Sequence, residues 1–438
     1  MLRKSPSLQL VLVMAGFLII ACSGSLPFAL PFARDETSPA DQEGATANNL
    51  TQEQLVCPID KSTYTVLKEE ESGCYLPISV QEQPAQGEAL PTAQDSITIY
   101  TVLSKEQLAC YLPILEREHP EIQVKWCRAA TWELTDKILT EKSDPYTDVI
   151  WGLAATATLR VQAEGMLEPY APAGLGRVNP RMRDTRADLP HWIGHDVWMS
   201  AFCVNTVEME KLGLPMPTSW GDLVNPIYKG YLVMPNPNSS GTGFLSVSAW
   251  LQLFITKDEM ATDLVKWAEE RGVEGEEAAW AYMDALHENM ILYTDSGSKP
   301  CTLAATGKIP IGISFGSEAI EQRELGYPIV AVFPEEGSGW EVETIALIRK
   351  PEIKLAAKTF IDWAISNSAM EAYAYFYPVT SVPTDVPLPE GYIAEPIKQL
   401  VKNRFLWATA NRDRIVAEWL KRYENKTESG ADVPAGFE

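Results

Sequence analysis

A short polar turn, residues 239–242 of sequence SSGT, carries the residue types best suited to binding chemistry. It lies between two apolar segments, 230–233 and 245–255, which predict a strand before the turn and a helix after it. Such a strand–turn–helix unit directs free backbone N–H groups and the positive end of the helix dipole at one point. A serine that caps the helix explains part of the pattern, but the turn has more donors than a cap requires. The sequence therefore predicts an anion-binding turn.

A second polar turn, 293–301 (YTDSGSKPC), offers two further hydroxyl donors, Ser296 and Ser298, and the cation of Lys299. Ser296 and Lys299 also match the SxxK spacing of serine acyltransferases. The companion motifs of those enzymes, SDN and KTG, do not occur in the chain. We therefore expect a binding protein without catalytic residues, and not an enzyme.

The elements that position these turns alternate between strands and helices from residue 96 onward. The first strand is predicted at 96–103, and its following helix is expected to kink at Pro113. A long strand at 194–206 leaves the first lobe, and strands at 230–235 and 309–315 build a second one. Alternation of this kind indicates parallel strands joined by helical crossovers, so the fold class is α/β.

Charge and histidine spacing exclude some classes of partner. The chain has 36 Lys and Arg against 59 Asp and Glu, a net charge of −23, which argues against a nucleic-acid partner. A small anionic ligand remains compatible, because charges beyond about 8 Å are largely screened at physiological salt. There is no CxxC motif, and the four histidines show no spacing typical of metal ligands. No metal site and no cofactor are predicted.

The N-terminus predicts export. Arg3 and Lys4 precede an apolar run over 8–21, which is short for a membrane span and typical of a signal peptide. The run ends in LIIAC, which resembles the lipobox of bacterial lipoproteins, so residues 1–21 are a predicted signal peptide and Cys22 a predicted acylation site. Secretion without a lipid is the alternative. The protein is therefore expected outside the cytoplasm, anchored by lipid.

Residues 22–95 are rich in Pro, Gln, Glu, Ser and Ala, and we interpret them as a flexible tether. Two short sequences in this region recur 36 residues later: YTVL at 64–67 and CYLPI at 74–78 return at 100–103 and 110–114. We interpret the first copy as the relic of a partial duplication. An extra strand, or a strand that exchanges with the original, is the alternative.

Apart from Cys22 the chain has six cysteines, an even number in an exported protein, which indicates disulfides. Two pairs share one spacing, since 74 − 57 = 17 and 127 − 110 = 17. This spacing favours the pairs Cys57–Cys74 and Cys110–Cys127, with Cys203–Cys301 as the third. Six cysteines allow fifteen connectivities, and the other pairings stay open.

Several long segments resemble one family of transport proteins. They are WGLAAT (151–156), GMLEPYAP (165–172), 217–252 around the SSGT turn, YTDSGSKPCTLAATGKIPIGISF (293–315) and NRDRIVAEWLKRY (411–423). Together they are similar to the 2-aminoethylphosphonate-binding proteins of bacterial ABC importers, within the ferric- and polyamine-type superfamily. The likeness covers about 96–425.

The resemblance implies a two-lobed type II periplasmic-binding-protein fold with two crossovers between lobes, near 199–205 and 306–345. The solute-binding domain would span 96–430, with lobe 1 at about 96–200 and 340–430 and lobe 2 at about 201–339. A monomer would hold a small anionic or zwitterionic ligand in the cleft between the lobes and deliver it to a membrane permease.

By position, the resemblance implies three groups of ligand-binding residues. Hydroxyls and backbone of the two turns would hold the phosphonate, the end of the first strand and the WGLAA segment would reach the cleft, and carboxylates or aromatic faces would hold the amine. In that order the residues are Ser239, Ser240, Gly241, Thr242, Ser296 and Ser298; Tyr100, Thr101 and Trp151; Asp196, Glu343, Trp198 and Trp340.

One departure concerns the ligand. Where the family has Arg-Asp-Ser-Thr-Gly after the second strand, this chain has Arg128-Ala129-Ala130-Thr131-Trp132, without the serine. A ferric-ion binder of the same fold is one alternative, but Gly316-Ser317-Glu318 stands where such proteins carry a tyrosine pair, and YAYFYP (373–378) is interpreted as a packed helix end. A polyamine binder, which would need more acidic residues in the cleft, and a lipid-anchored sensor module also stay open.

Overall fold

The computed structural model describes residues 50–70, 72–77 and 96–428. The predicted signal peptide, the acylation site Cys22 and the tether segments 22–49 and 78–95 lie outside these residues and stay predictions. Within the described part of the chain, none of the helices combines the length and the apolar character needed to cross a membrane.

The described residues form fourteen strands and thirteen α-helices. The strands are β1 (Leu50–Val56), β2 (Thr63–Glu69), β3 (Cys74–Pro77), β4 (Ser96–Thr101), β5 (Gln123–Arg128), β6 (Val149–Ala154), β7 (Leu167–Glu168), β8 (Ile193–Asn205), β9 (Leu232–Pro235), β10 (Met290–Thr294), β11 (Ile311–Phe315), β12 (Ile329–Val332), β13 (Trp340–Ile348) and β14 (Val379–Thr380). The helices are α1 (Lys105–Glu118), α2 (Thr131–Thr140), α3 (Ala155–Ala163), α4 (Thr206–Leu212), α5 (Gly241–Thr256), α6 (Thr262–Glu269), α7 (Gly275–Asn289), α8 (Lys299–Ala305), α9 (Gly316–Glu324), α10 (Leu355–Ala364), α11 (Asn367–Phe376), α12 (Pro396–Gln399) and α13 (Phe405–Tyr423).

The strands form two mixed sheets that share β8, which confirms the predicted two-lobed α/β fold. In the first lobe β4 pairs in parallel with β5 and β6, and β13 pairs antiparallel with β6 and β8. In the second lobe β8 pairs antiparallel with β11 and β12, and β9 lies parallel to β10 and β11. Residues 193–199 of β8 pair with β13 and residues 200–204 with β11, so the chain changes lobe within this one strand.

Burial explains why the central elements form as they do. The central strands β6, β8 and β13 are buried along their whole length, as expected for strands covered on both faces. Helix α1 begins with a capping box in which Ser104 accepts from the Gln107 backbone N–H and the Gln107 side chain accepts from the Ser104 N–H. It continues as one helix through Pro113 and buries one face, including Leu108 and Leu112.

The tether prediction is wrong for residues 50–56, 63–69 and 74–77, which form β1, β2 and β3. These strands form an antiparallel extension of the first lobe's sheet, and β3 pairs with β5. The Tyr75 ring stacks on Trp126 with 4.1 Å between ring centroids, and Val66 is fully buried. The extra-strand alternative therefore describes this segment, because pairing and ring burial outweigh its polar composition.

Two of the three predicted disulfide pairings are also wrong. The bonds are Cys57–Cys110, Cys74–Cys127 and Cys203–Cys301, of which the third matches the prediction. Cys74 lies directly opposite Cys127 in the β3–β5 ladder, so each cysteine of the added strands bonds to the domain and not to its neighbour in sequence. Equal spacing along the chain carries no information about this cross-strand contact.

Candidate functional site

A cleft of about 920 Å³ lies between the lobes and is lined by both. The first lobe contributes residues at the ends of β4, β5 and β6 and at the start of α2. The second lobe contributes the turn before α5, the turn before α8 and one face of α9. The carboxyl ends of strands in open α/β sheets commonly hold ligands in this way.

The N-termini of two helices meet across this cleft. Helix α5 begins after Ser240, whose hydroxyl accepts a hydrogen bond from the Gly243 N–H at 3.3 Å. Helix α2 begins after Ala130, which offers no side-chain cap, so its first N–H groups are not capped locally. A Cβ atom placed on Gly241 would lie 3.0 Å from the Thr131 hydroxyl, which shows how closely the two helix starts approach. Both dipoles present their positive ends to the cleft.

The two predicted polar turns are in contact. A Cβ atom on Gly297 would lie 2.4 Å from the Thr242 hydroxyl and 3.1 Å from that of Ser240. The Gly297 carbonyl accepts from Ser314 at 2.8 Å, which fixes the turn against β11. All six predicted turn residues line the cleft: Ser239, Ser240, Gly241, Thr242, Ser296 and Ser298. We call them, with Gly297, the hydroxyl cradle.

Arg128 lines the cleft at the end of β5. It was not among the predicted ligand-binding residues and was named only as the first residue of the segment 128–132, which differs from the family's sequence. Its Nε donates to the Leu103 carbonyl at 2.8 Å, which uses one of the five N–H donors of the guanidinium. Its position at the carboxyl end of the second strand of the domain is the signal that would have identified it. Thr131, which occupies the position after the missing serine, supplies a hydroxyl from the same lobe.

Replacing Arg128 by glutamine is expected to lower the affinity for a phosphonate dianion at least tenfold, because a charge-assisted hydrogen bond from the guanidinium is lost. Lysine should restore part of the affinity, since it keeps the charge and loses the fork geometry. Titration calorimetry at low and physiological salt measures both effects. The exposed Arg117 of α1 provides the matched control, Arg117→Gln. Equal affinities of Arg128→Gln and Arg117→Gln would contradict this role.

Carboxylates form another part of the lining. Glu318, Glu321 and Glu324 of α9 line the cleft together with Glu343 of β13. Burial, and then the charge of Glu321, raise the pKa of Glu318 to about 8. Burial, and then the neighbouring Asp196, raise the pKa of Glu343 well above its usual value. The cleft therefore combines anion-binding donors with carboxylates that a cationic group would stabilise in the charged form.

The raised pKa of Glu318 predicts a pH-dependent stability. The folded-state pKa lies above the unfolded value of 4.5, so folding favours the protonated carboxyl. The stability that accompanies this protonated group is fully present below pH 4.5 and is lost as the pH rises to about 8. We therefore measure the change in the free energy of unfolding that Glu318→Gln causes at each pH. The change at pH 8 is expected to be more stabilising than the change at pH 4.5 by at least about 1 kcal/mol. Guanidinium unfolding at both pH values tests this, with the exposed Glu324→Gln of the same helix as control. An identical effect of Glu318→Gln at both pH values would refute it.

Aromatic side chains complete the lining. Trp198 lies edge-on to Phe315 with 6.2 Å between centroids, and Phe315 lies 6.2 Å from Tyr377. The segment predicted as a packed helix end does bury Tyr373, but Tyr375 and Tyr377 line the cleft. The turn between β1 and β2 adds Pro58 and Ile59 to the lining.

Five predicted site residues do not line the cleft. Tyr100 donates to Glu141, Thr101 accepts from the Leu103 N–H, and Trp340 donates to the Val401 carbonyl. Trp151 is fully buried in the core of the first lobe, and Asp196 is fully buried beside His195. Val102 and Gly152, the residues that follow Thr101 and Trp151 in the chain, line the cleft instead. Trp198 and Glu343 are the predicted amine-binding residues that the structure brings to the cleft.

Comparison with known proteins agrees with this architecture. Residues 144–398 match the family described as bacterial extracellular solute-binding protein. An uncharacterized protein of Haemophilus influenzae is 27% identical over 254 residues, 57% of this chain and 67% of that protein. The probable ABC transporter periplasmic-binding protein y4fP of Sinorhizobium fredii is 23% identical over 254 residues, 58% of this chain and 65% of its own length. The chain thus spans about two thirds of these relatives.

Among solved structures, the periplasmic binding protein AfuA of Actinobacillus pleuropneumoniae, with fructose-6-phosphate bound, superposes with a TM-score of 0.65 at 24% identity. The superposition covers 75% of this chain and 98% of AfuA. At this identity the likeness establishes the type II periplasmic-binding fold and leaves the ligand open.

Proposed function

We propose that this chain, which belongs to the bacterial extracellular solute-binding protein family, captures 2-aminoethylphosphonate or a related small phosphonate and delivers it to an ABC permease. This proposal rests mainly on one observation: the hydroxyl cradle, the N-termini of α2 and α5, and Arg128 all line one cleft. Four or five charge-assisted hydrogen bonds of about 1.5–3 kcal/mol each support micromolar affinity, about −8 kcal/mol, after the costs of ordering.

The carboxylates of the cleft would bind the amino group of the ligand. A ligand that carries an ammonium group would place it near Glu318, Glu321 or Glu343 and against the face of Trp198. The phosphonate would occupy the hydroxyl cradle. Such a bipolar cleft favours a zwitterion over a simple anion, because an anion alone leaves the carboxylates without a cationic partner.

Capture requires closure of the lobes. Arg128 and Thr131 belong to the first lobe, whereas Ser240 and Thr242 belong to the second, so only a closed cleft completes all the bonds to one ligand. Residues 199–200 of β8 and the segment between β12 and β13 are the connections about which the lobes would rotate. A permease that recognises the closed form would then receive loaded protein.

Export and anchoring remain part of the proposal. Family membership implies a location outside the cytoplasm. Acylation of Cys22 would hold the protein at the membrane surface, and metabolic labelling with a fatty acid, lost in a Cys22→Ser variant, tests that step.

A calorimetric panel tests the proposed ligand. The compounds are 2-aminoethylphosphonate, ethylphosphonate, inorganic phosphate, fructose 6-phosphate, ferric citrate and spermidine. We expect the aminophosphonate to bind at micromolar concentration or tighter, and ethylphosphonate, which lacks the amine, at least tenfold more weakly. Binding of ferric citrate or spermidine without binding of any phosphonate or phosphate would contradict the proposal.

A phosphate monoester with a hydroxyl-rich body is the second candidate. The cleft of about 920 Å³ has room for a larger molecule, and the α9 carboxylates can accept hydrogen bonds from sugar hydroxyls. The fructose-6-phosphate bound to AfuA is a ligand of this type. Tighter binding of fructose 6-phosphate than of 2-aminoethylphosphonate in the same panel would select this candidate.

A further inference from the structure

Strands β8 and β13 hold a buried polar cluster where they pair in the first lobe, beside the cleft. Asp196 of β8 pairs with Glu343 of β13, and the next pair is Gly194 with Thr344, so His195 is an extra residue in β8. This bulge interrupts the alternation of side chains, and His195 and Asp196 both reach Glu343. His195 and Asp196 are fully buried and Glu343 is 6% exposed.

The polar atoms of this cluster are incompletely paired. His195 Nδ1 lies 2.8 Å from Asp196 Oδ2, whereas His195 Nε2 lies 3.8 Å from Glu343 Oε2, too far for a hydrogen bond. Within the described part of the chain, three atoms of the cluster have no hydrogen-bond partner: His195 Nε2, Asp196 Oδ1 and Glu343 Oε2. Buried polar atoms are rarely left in this state, so a group between His195 Nε2 and Glu343 Oε2 is indicated.

We propose that His195 Nε2 and Glu343 Oε2 bind a divalent transition-metal ion, with Zn²⁺ as the best fit, and that Asp196 holds the imidazole from its Nδ1 side. One donor atom from each residue lies within 4.8 Å of the other two. Zinc bonds of about 2.0–2.2 Å to nitrogen and oxygen can bridge the 3.8 Å gap between Nε2 and Oε2. Two carboxylates balance the charge of the ion, and the imidazole favours zinc over Ca²⁺ or Mg²⁺.

The surroundings of the histidine support metal binding. Asp196 Oδ2 lies 2.8 Å from Nδ1, so in the tautomer with its proton on Nδ1 the imidazole donates to Asp196 and presents the Nε2 lone pair, the usual arrangement behind a metal-bound imidazole. Glu343 lines the cleft, so the site has an entry path and a side from which a water or ligand oxygen can complete the coordination. The sequence predicted no metal site, because the carboxylate donor comes from a strand 148 residues beyond His195 (343 − 195).

A bound ion would join β8 to β13 near the point where β8 changes lobe. It would hold these strands together close to residues 199–200, about which the lobes are proposed to rotate. This inference does not depend on the identity of the ligand in the hydroxyl cradle.

The experiment titrates Zn²⁺, Mn²⁺ and Ca²⁺ into full-length protein freed of metal by EDTA dialysis, without any phosphonate. We expect one Zn²⁺ per chain at micromolar concentration or tighter, weaker Mn²⁺ and no measurable Ca²⁺ binding. His195→Gln and Glu343→Gln should each weaken Zn²⁺ at least tenfold. His119→Gln, at the exposed His119–Glu121 pair, is the matched control and should leave the affinity unchanged.

Crystals of the unaltered protein grown with Zn²⁺ give a second readout that does not depend on any variant folding. Anomalous diffraction at the zinc edge should show one peak between His195 and Glu343. A peak at other residues, affinities unaffected by both cluster variants, or no zinc binding at millimolar concentration would each overturn the proposal.

Discussion

Replacing Ser240 by alanine together with Thr242 by valine is expected to weaken binding of 2-aminoethylphosphonate at least tenfold. Both hydroxyls lie where the α5 turn meets the Ser296-Gly297-Ser298 turn, within reach of a ligand at the helix start. Each lost hydrogen bond to a charged group removes about 1.5–3 kcal/mol, so a hundredfold loss is within the expected range. Titration calorimetry with the purified protein measures the change.

Loss of the Ser240 hydroxyl also affects the stability of the protein, so the unfolding free energy of the double variant is measured apart from its affinity. Ser240 also caps α5, and replacement of a capping serine by alanine costs about 1 kcal/mol. Thr256→Val, at the far end of the same helix, removes a hydroxyl that bonds to the Gln252 carbonyl and provides the matched control. The cradle is contradicted if the double variant binds as tightly as Thr256→Val does.

The second large effect is on folding. Removing the Cys74–Cys127 bond by serine substitution at both positions is expected to lower the free energy of unfolding by about 2–4 kcal/mol, because the bond closes a 53-residue span. It should also loosen β3 from β5, since this ladder consists of the Cys74 and Tyr75 pairs with Cys127 and Trp126. Guanidinium unfolding measures the stability, and limited proteolysis within 50–77 measures the loosening.

The bond within the second lobe provides the control for that experiment. Serine at both Cys203 and Cys301 should also lower stability, but it should leave residues 50–77 resistant to protease. If the Cys74–Cys127 variant unfolds at the same denaturant concentration as the unaltered protein, or if both variants are cleaved alike, the added strands are not held by this bond.

The strand, turn and helix that carry the hydroxyl cradle could be predicted from the sequence because the evidence for them is local. A strand, a turn rich in donors and a helix follow one another in the chain, and both turns were identifiable from their own residues. The same holds for the α/β class, since alternating strands and helices produce a local pattern. The contact of Gly297 with Thr242 then follows from the parallel pairing of β9 with β10, which brings the two turns to the same edge.

The misplaced residues depend on information that the sequence does not display. Tyr100, Thr101 and Trp151 lie on strands beside the cleft, but all three are fully buried within the first lobe, where Tyr100 bonds to Glu141 and Thr101 to the Leu103 N–H. The bulge at His195 changes which face the neighbouring side chains occupy, and only the register with β13 reveals it. Contacts between strands likewise determine which cysteines pair in the first lobe and why residues within 50–77 form strands.

A crystal structure of the protein grown with 2-aminoethylphosphonate tests the central claim most directly. The account predicts the phosphonate oxygens within hydrogen-bond distance of the α5 N-terminus, of Ser240 and Thr242, and of Arg128, with the lobes closed around them. A phosphonate bound among the α9 glutamates, or a cleft without phosphonate at saturating concentration, would contradict it.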